Sequence, residues 1–190
     1  MLVPCLEATA KNLKGYRMDI DKESILQKAY DLGFYYEKEY KGCSQCVLAA
    51  IQDALGIETG TDFDAVFKSA TGLVAGLCAT GSGSCGSLSG GVMAISYKIG
   101  RERSDFKDPE NIRFKTRELG LKLHNKFIET YGSSICRDIQ KKIFGRAFDL
   151  LNPVDREAFD TAGAHIDKCT SVVGNAAKWA VEIIMEQEGE

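Results

Sequence analysis

The chain has 190 residues, of which 27% are charged and 44% hydrophobic, the balance of an ordinary folded protein. Its formal net charge of -3 excludes the excess of Lys and Arg with which a nucleic-acid-binding surface neutralises phosphates. No apolar run approaches the roughly 18 residues of a membrane span. The seven cysteines are the unusual feature.

The N-terminal residues decide how the cysteines are interpreted. The apolar stretch of residues 2–6 is too short for the core of a signal peptide, and no positively charged segment precedes it. We therefore expect a cytoplasmic protein, in which thiols stay reduced and many cysteines indicate metal binding or redox chemistry. Residues 1–20, which include Cys5, are expected to form a tail, and residues 21–190 a single domain.

Helical periodicity fills most of this domain. In eight segments, apolar residues recur every three or four positions, the spacing of a helix that faces a core. These segments are residues 21–40, 43–55, 61–73, 85–99, 109–131, 134–144, 153–162 and 166–187. No segment alternates as a strand would. The sequence therefore predicts an all-α, single-domain helical bundle of about six to eight helices.

Several helix boundaries carry their own signals. Thr61 or Asp62 is a suitable N-cap, and Gly56 follows the preceding helix as a C-cap glycine would. Asp108, followed by proline and glutamate, predicts a helix that begins at residue 109, and Asn152 before Pro153 repeats that signal. Glycine and serine dominate residues 76–84, which indicates a loop.

Four cysteines occupy equivalent positions, because each lies near the N-terminal end of a different predicted helix. They are Cys46, Cys85, Cys136 and Cys169. The unpaired N–H groups and the dipole at a helix start favour a thiolate. A bundle can bring four helix starts together, and four thiolates suit an iron–sulfur cluster or a zinc ion.

Cys43 and Cys78 are candidate redox neighbours of this set. Cys43 forms a Cys-x-x-Cys pair with Cys46, and Cys78 lies seven residues before Cys85. A metal-free protein that cycles dithiols and disulfides among these four residues is therefore an alternative to a metal site.

The helix after Cys85 is rich in small residues. Gly86 and Gly90 would let a second helix or a cofactor approach its backbone closely, and we include both as cofactor-binding candidates. Because glycine within a helix costs about 1 kcal/mol relative to alanine, their presence indicates a packing or functional role. Residues 81–86 fit G-x-G-x-x-G, but the βαβ unit that dinucleotide binding requires is missing.

His165 is the histidine best placed to join a metal site. It lies four residues before Cys169, so both side chains could approach one metal from the same side of a helix. A lone histidine is more often a hydrogen-bonded structural residue, and we leave His165 outside the predicted ligand set.

Residues 85–101, CGSLSGGVMAISYKIGR, resemble the C-G-A-x-x-G signature of the C_GCAxxG_C_C family of redox-active proteins. The resemblance runs from about Tyr30 to Ile184 and implies a small helical domain associated with electron-transfer or transport systems. The family's four characteristic cysteines would be the same four that the helix starts select. Ser87 stands where the signature has alanine, a small-for-small change that we expect to matter little.

The leading hypothesis is a redox protein whose four cysteines ligate an iron–sulfur cluster and pass single electrons to a partner protein. A structural zinc site in a helical interaction module is a further alternative. The apolar helix faces could also support a homodimer. No hydrolase motif is present, and whether the protein transforms any substrate stays open.

Overall fold

The computed structural model describes the backbone of residues 5–188 and the side chains of residues 21–187. The described part is built of helices without a strand, which confirms the all-α fold class. The helices are α1 (Cys5–Glu39), α2 (Cys43–Leu55), α3 (Asp62–Ser69), α4 (Gly86–Ile99), α5 (Ile112–Tyr131), α6 (Cys136–Phe144), α7 (Pro153–Thr161) and α8 (Cys169–Glu188). A 3-10 turn (Ala70–Leu73) follows α3, and a π turn (Ala164–Lys168) precedes α8.

Helix α8 is the centre of the bundle and packs against α1, α2, α4 and α5. Its buried positions are small or β-branched, and they are Thr170, Val172, Val173, Gly174, Ala176, Ala177, Ala180, Val181, Ile183 and Ile184. The contact with α1 is close, because a Cβ built on Gly33 would lie 3.0 Å from the Cα of Gly174. The small residues therefore set how near the other helices come to α8.

Two apolar clusters divide the interior. The larger one joins α1, α2, α4, α5 and α8, with Leu48, Ile95 and Phe127 among its fully buried side chains. The smaller one contains Phe148 and Phe159 and lies around the connection between α6 and α7. The space between the two clusters holds the candidate site.

The segment before α4 forms backbone hydrogen bonds with the segment before α6. The N–H of Cys85 donates to the carbonyl oxygen of Ser134 at 2.9 Å, and the N–H of Cys136 donates to that of Gly83 at 3.0 Å. The pairing is antiparallel. These hydrogen bonds place the starts of α4 and α6 side by side.

Most predicted boundary signals are confirmed. The Thr61 hydroxyl oxygen accepts the N–H of Phe63 at 3.4 Å, and the Asn152 side-chain oxygen accepts that of Val154 at 2.9 Å. Gly56 ends α2 with a φ of 67°, a left-handed conformation that glycine adopts without strain.

The predicted start of α5 at Pro109 is wrong by three residues. The helix begins at Ile112, and Asn111 before it has a φ of 57°. The carboxylate of Asp108 still serves the helix, because it accepts the N–H groups of Ile112 at 2.7 Å and Arg113 at 3.2 Å. Asp108 therefore caps the helix from the preceding turn, and Pro109 lies in that turn.

Helix α1 is longer than predicted, since it begins at Cys5 and not near Asp21. Among residues 5–20 Gly15 is the weakest helix former, and none of these residues is proline. The Cys5 side chain, expected to take no part in the site, lies outside the described residues. In the part of the chain that the structure describes, no helix combines the length and apolar character needed to cross a membrane.

Candidate functional site

A cavity of about 260 Å³ lies where the two apolar clusters meet, and four thiols line it. They belong to Cys43, Cys85, Cys136 and Cys169. Cys43, Cys136 and Cys169 are the first residues of α2, α6 and α8, and Cys85 is the N-cap of α4. The structure thus brings four helix starts together around one space, with three of the four cysteines that the sequence singled out.

Cys46 is the predicted ligand that the structure places elsewhere. Its Sγ donates to the carbonyl oxygen of Lys41 at 3.1 Å, and the residue lines a separate depression beside Tyr36 and Tyr40. Cys43 occupies the helix start, whereas Cys46 lies one turn further along α2. A Cys-x-x-Cys pair offers two candidates, and only the packing of α2 against α4 decides which one faces the cavity.

Cys78 is exposed and is not among the residues that line the cavity. It belongs to a loop in which five consecutive residues, 75–79, have φ between 49° and 68°. Four of them are not glycine, and each such residue is strained in this left-handed conformation. Backbone hydrogen bonds hold the loop, among them Gly81 to Ala75 at 3.0 Å and Gly83 to Gly76 at 3.1 Å.

The two predicted cofactor-binding glycines lie in the contact between α2 and α4. A Cβ built on Gly86 would overlap the Sγ of Cys43, and one built on Gly90 would overlap the carbonyl oxygen of Ser44. Neither glycine lines the cavity. Their observed role is to let the start of α2 approach α4, which brings Cys43 close to Cys85.

Burial raises the pKa of every cavity thiol, and neighbouring groups add to the effect. Loss of hydration, followed by the charge of Cys136, raises the pKa of Cys85 to about 12. Loss of hydration, followed by the charge of Cys43, raises that of Cys136 to about 12. The N–H of Ser87 lowers the pKa of Cys85, but burial outweighs it. The prediction that helix starts favour thiolates here is therefore wrong for the metal-free protein.

A buried carboxylate shares the wall of the cavity. Glu37 is 3% exposed, and after burial its charge is the next largest cause that raises the pKa of Cys43 and of Cys169. His165 lies between two carboxylates, with Nδ1 3.4 Å from Glu37 and Nε2 3.3 Å from Asp160. His165 therefore bridges these carboxylates and does not pair with Cys169 as a ligand.

The metal-ligating groups are arranged around the cavity and not about one point. Among the residues that the structure describes, no three His, Cys, Asp or Glu side chains lie close enough to share one metal ion. The six cysteines with described side chains are all free thiols. The four sulfurs line the cavity together with Glu37, Asp160 and His165, which pair with one another across its wall.

The raised thiol pKa values predict that the metal-free protein loses stability in alkaline solution. In the unfolded chain Cys85 and Cys136 ionise near their ordinary pKa of 9.0, whereas in the folded chain each pKa is about 12. Their stabilising contribution is complete below pH 9 and is lost as the pH rises toward 12, because the unfolded chain releases these protons first. At pH 10 we expect the free energy of unfolding to fall by about 1 kcal/mol for each thiol.

Urea unfolding of the metal-free, reduced protein at pH 8 and pH 10 measures this loss. The matched control is the variant with Cys85→Ala and Cys136→Ala, which should lose less stability between the two pH values. An equal loss in both proteins would contradict the prediction.

Comparison with known protein families gives a match over most of the chain. The C_GCAxxG_C_C family, described as redox-active proteins, matches residues 41–183. No curated protein and no solved structure matches the chain. The matched residues include all four cavity cysteines and most of the chain. The protein therefore belongs to the C_GCAxxG_C_C family of redox-active proteins.

Proposed function

We propose that this redox-active protein transfers electrons through an iron–sulfur cluster ligated by Cys43, Cys85, Cys136 and Cys169. The observation that carries the proposal is the convergence of four free thiols, two of them on buried and two on half-buried residues, from four helix starts on one cavity. Cysteine thiolates are the usual ligands of such clusters, and a bound cluster supplies reversible one-electron transfer. The family's redox character supports this choice.

The raised pKa values support a cationic occupant. The cavity thiols resist ionisation because they are buried and because each ionised neighbour would repel the next. A metal cation reverses this preference, since it stabilises a coordinating thiolate directly. The cationic side chains that line the cavity are Lys41 and Arg156, with Lys41 paired to Asp160 at 3.5 Å. These cations are too few to balance four thiolates.

The spacing of the donors favours a cluster over a single zinc ion. One zinc would need four sulfurs within about 2.3 Å of a common centre, and the described residues offer no three donors that share one ion. A cluster distributes its ligands over several iron atoms, so the sulfurs surround a space. The cavity of about 260 Å³ lined by four thiols supports that arrangement.

Other residues of the cavity orient the sulfurs and exclude water. The Nε2 of Gln140 donates to the Sγ of Cys136 at 3.5 Å, while its Oε1 accepts the N–H of Phe148 at 2.9 Å. Leu150 and Phe159 of the smaller cluster cover the apolar side. Hydrogen bonds to sulfur and exclusion of solvent both tune the potential of such a site.

Redox titration of anaerobically purified protein tests the proposal. We expect a brown protein that contains iron and acid-labile sulfide, and whose visible absorption bleaches and recovers with the addition and removal of one electron per chain. A colourless protein with reversible loss of two hydrogens per thiol pair would support the dithiol/disulfide alternative instead. A colourless protein with one tightly bound zinc would support the structural zinc module.

A further inference from the structure

The Ser87 hydroxyl is enclosed beside the cavity without a hydrogen-bond partner. Ser87 is the second residue of α4, lines the cavity and is 1% exposed. Its Oγ is buried and has no partner within hydrogen-bond geometry. A buried hydroxyl in this state is unfavourable. The site therefore provides a donor whose acceptor is missing in the metal-free protein.

Other serines in this part of the bundle are satisfied. The hydroxyl of Ser44, which is fully buried in α2, donates to the carbonyl oxygen of Ala70 at 2.9 Å. Ser96, further along α4, donates to that of Val92 at 2.8 Å. Ser87 differs from both because no carbonyl oxygen accepts its hydrogen. A structural requirement of the helix for serine does not explain the unpartnered Ser87 hydroxyl, because the family signature has alanine at this position.

The sulfur of Cys85 is the acceptor that fits. Cys85 and Ser87 lie two residues apart at the start of α4, and both line the cavity. A neutral thiol is a weak acceptor, whereas a thiolate accepts strongly. The hydroxyl therefore gains a good partner once metal binding has deprotonated Cys85.

We propose that Ser87 is a positioning residue that donates a hydrogen bond to the ligating Cys85 thiolate and so raises the midpoint potential of the site. This inference rests on the proposed function. In reduction, one electron from a reduced partner protein adds one negative charge at the site, and no bond to the protein forms or breaks. A donor beside the sulfur stabilises the more negative reduced state more than the oxidised state, which raises the potential.

Midpoint potentials of the cluster-loaded wild-type protein and of Ser87 variants test the inference. In S87A we expect the ratio of reduced to oxidised protein at a fixed ambient potential to fall about tenfold, which is a decrease of about 59 mV for one electron. S87T keeps the hydroxyl, and its midpoint potential should stay close to that of the wild-type protein. S96A removes a hydroxyl that Val92 already satisfies and should leave the potential unchanged.

The matched pair S87T and S87V decides the question if S87A does not fold. The two side chains have the same shape and differ only in the hydroxyl, so we expect the valine variant to show the lower potential. Iron-loaded variants that keep the wild-type potential would overturn this inference and leave the proposed function standing. A wild-type protein without iron would overturn both.

Discussion

Cys43→Ser is expected to abolish iron binding, whereas Cys46→Ser leaves the iron content of the protein unchanged. Cys43 begins α2 and lines the cavity with three other thiols. Cys46 lies one turn away and donates to the carbonyl oxygen of Lys41, an acceptor that a serine hydroxyl can also reach. The two substitutions make the same chemical change three residues apart, so each is the control of the other.

Iron and acid-labile sulfide per chain, measured after identical anaerobic purification, give the readout. We expect Cys43→Ser to hold less than about a tenth of the wild-type iron, because oxygen is a poor substitute for thiolate sulfur as an iron ligand in these clusters. Circular dichroism and urea unfolding would show that both variants fold. Loss of iron in the Cys46 variant alone would instead favour the ligand set predicted from the sequence, with Cys46 in place of Cys43.

Gly90→Ala is expected to destabilise the protein by about 3 kcal/mol, near the upper end of what overpacking usually costs. A Cβ at this position would overlap the carbonyl oxygen of Ser44 and lie 2.5 Å from Cγ1 of Val47. Both neighbours belong to α2 and are fully buried, so neither can move aside. Helices α2 and α4 would have to separate, which would also draw Cys43 away from Cys85.

Gly120→Ala is the matched control within the same bundle. Gly120 lies in the middle of α5, and a Cβ there would make ordinary contacts, the nearest at 3.6 Å from Val92. Alanine is the better helix former, so we expect Gly120→Ala to be neutral or to stabilise the protein by up to about 1 kcal/mol. Urea unfolding measures both variants. A Gly90→Ala protein as stable as wild type would contradict the close approach of α2 and α4.

The helices and their starts could be predicted because both leave local signals. The apolar spacing of residues 85–99 predicts α4 almost to the residue, and Asn152 caps α7 with the side chain that the sequence indicates. Periodicity and capping depend only on neighbours along the chain. For the same reason the position of Cys85, Cys136 and Cys169 at helix starts could be inferred from the sequence.

The composition of the site could not be predicted in the same way, because it depends on contacts between distant segments. The choice between Cys43 and Cys46 follows from how α2 packs against Gly86. The raised pKa of Cys85 follows from burial, and the helix start alone predicts a shift in the opposite direction. Ser87 seemed a neutral replacement for alanine until its buried, unpartnered hydroxyl was seen beside the cavity.

Native mass spectrometry of the anaerobically purified chain tests the proposed iron–sulfur site most directly, because one mass distinguishes every occupant considered. We predict a mass that exceeds the bare chain by several iron and sulfide ions, less the protons of the four ligating thiols. The same excess should appear in Cys46→Ser and be missing in Cys43→Ser. Three wild-type masses would contradict the proposed iron–sulfur site. They are the mass of the bare chain, that of the chain less two hydrogens per disulfide, and that of the chain with one zinc.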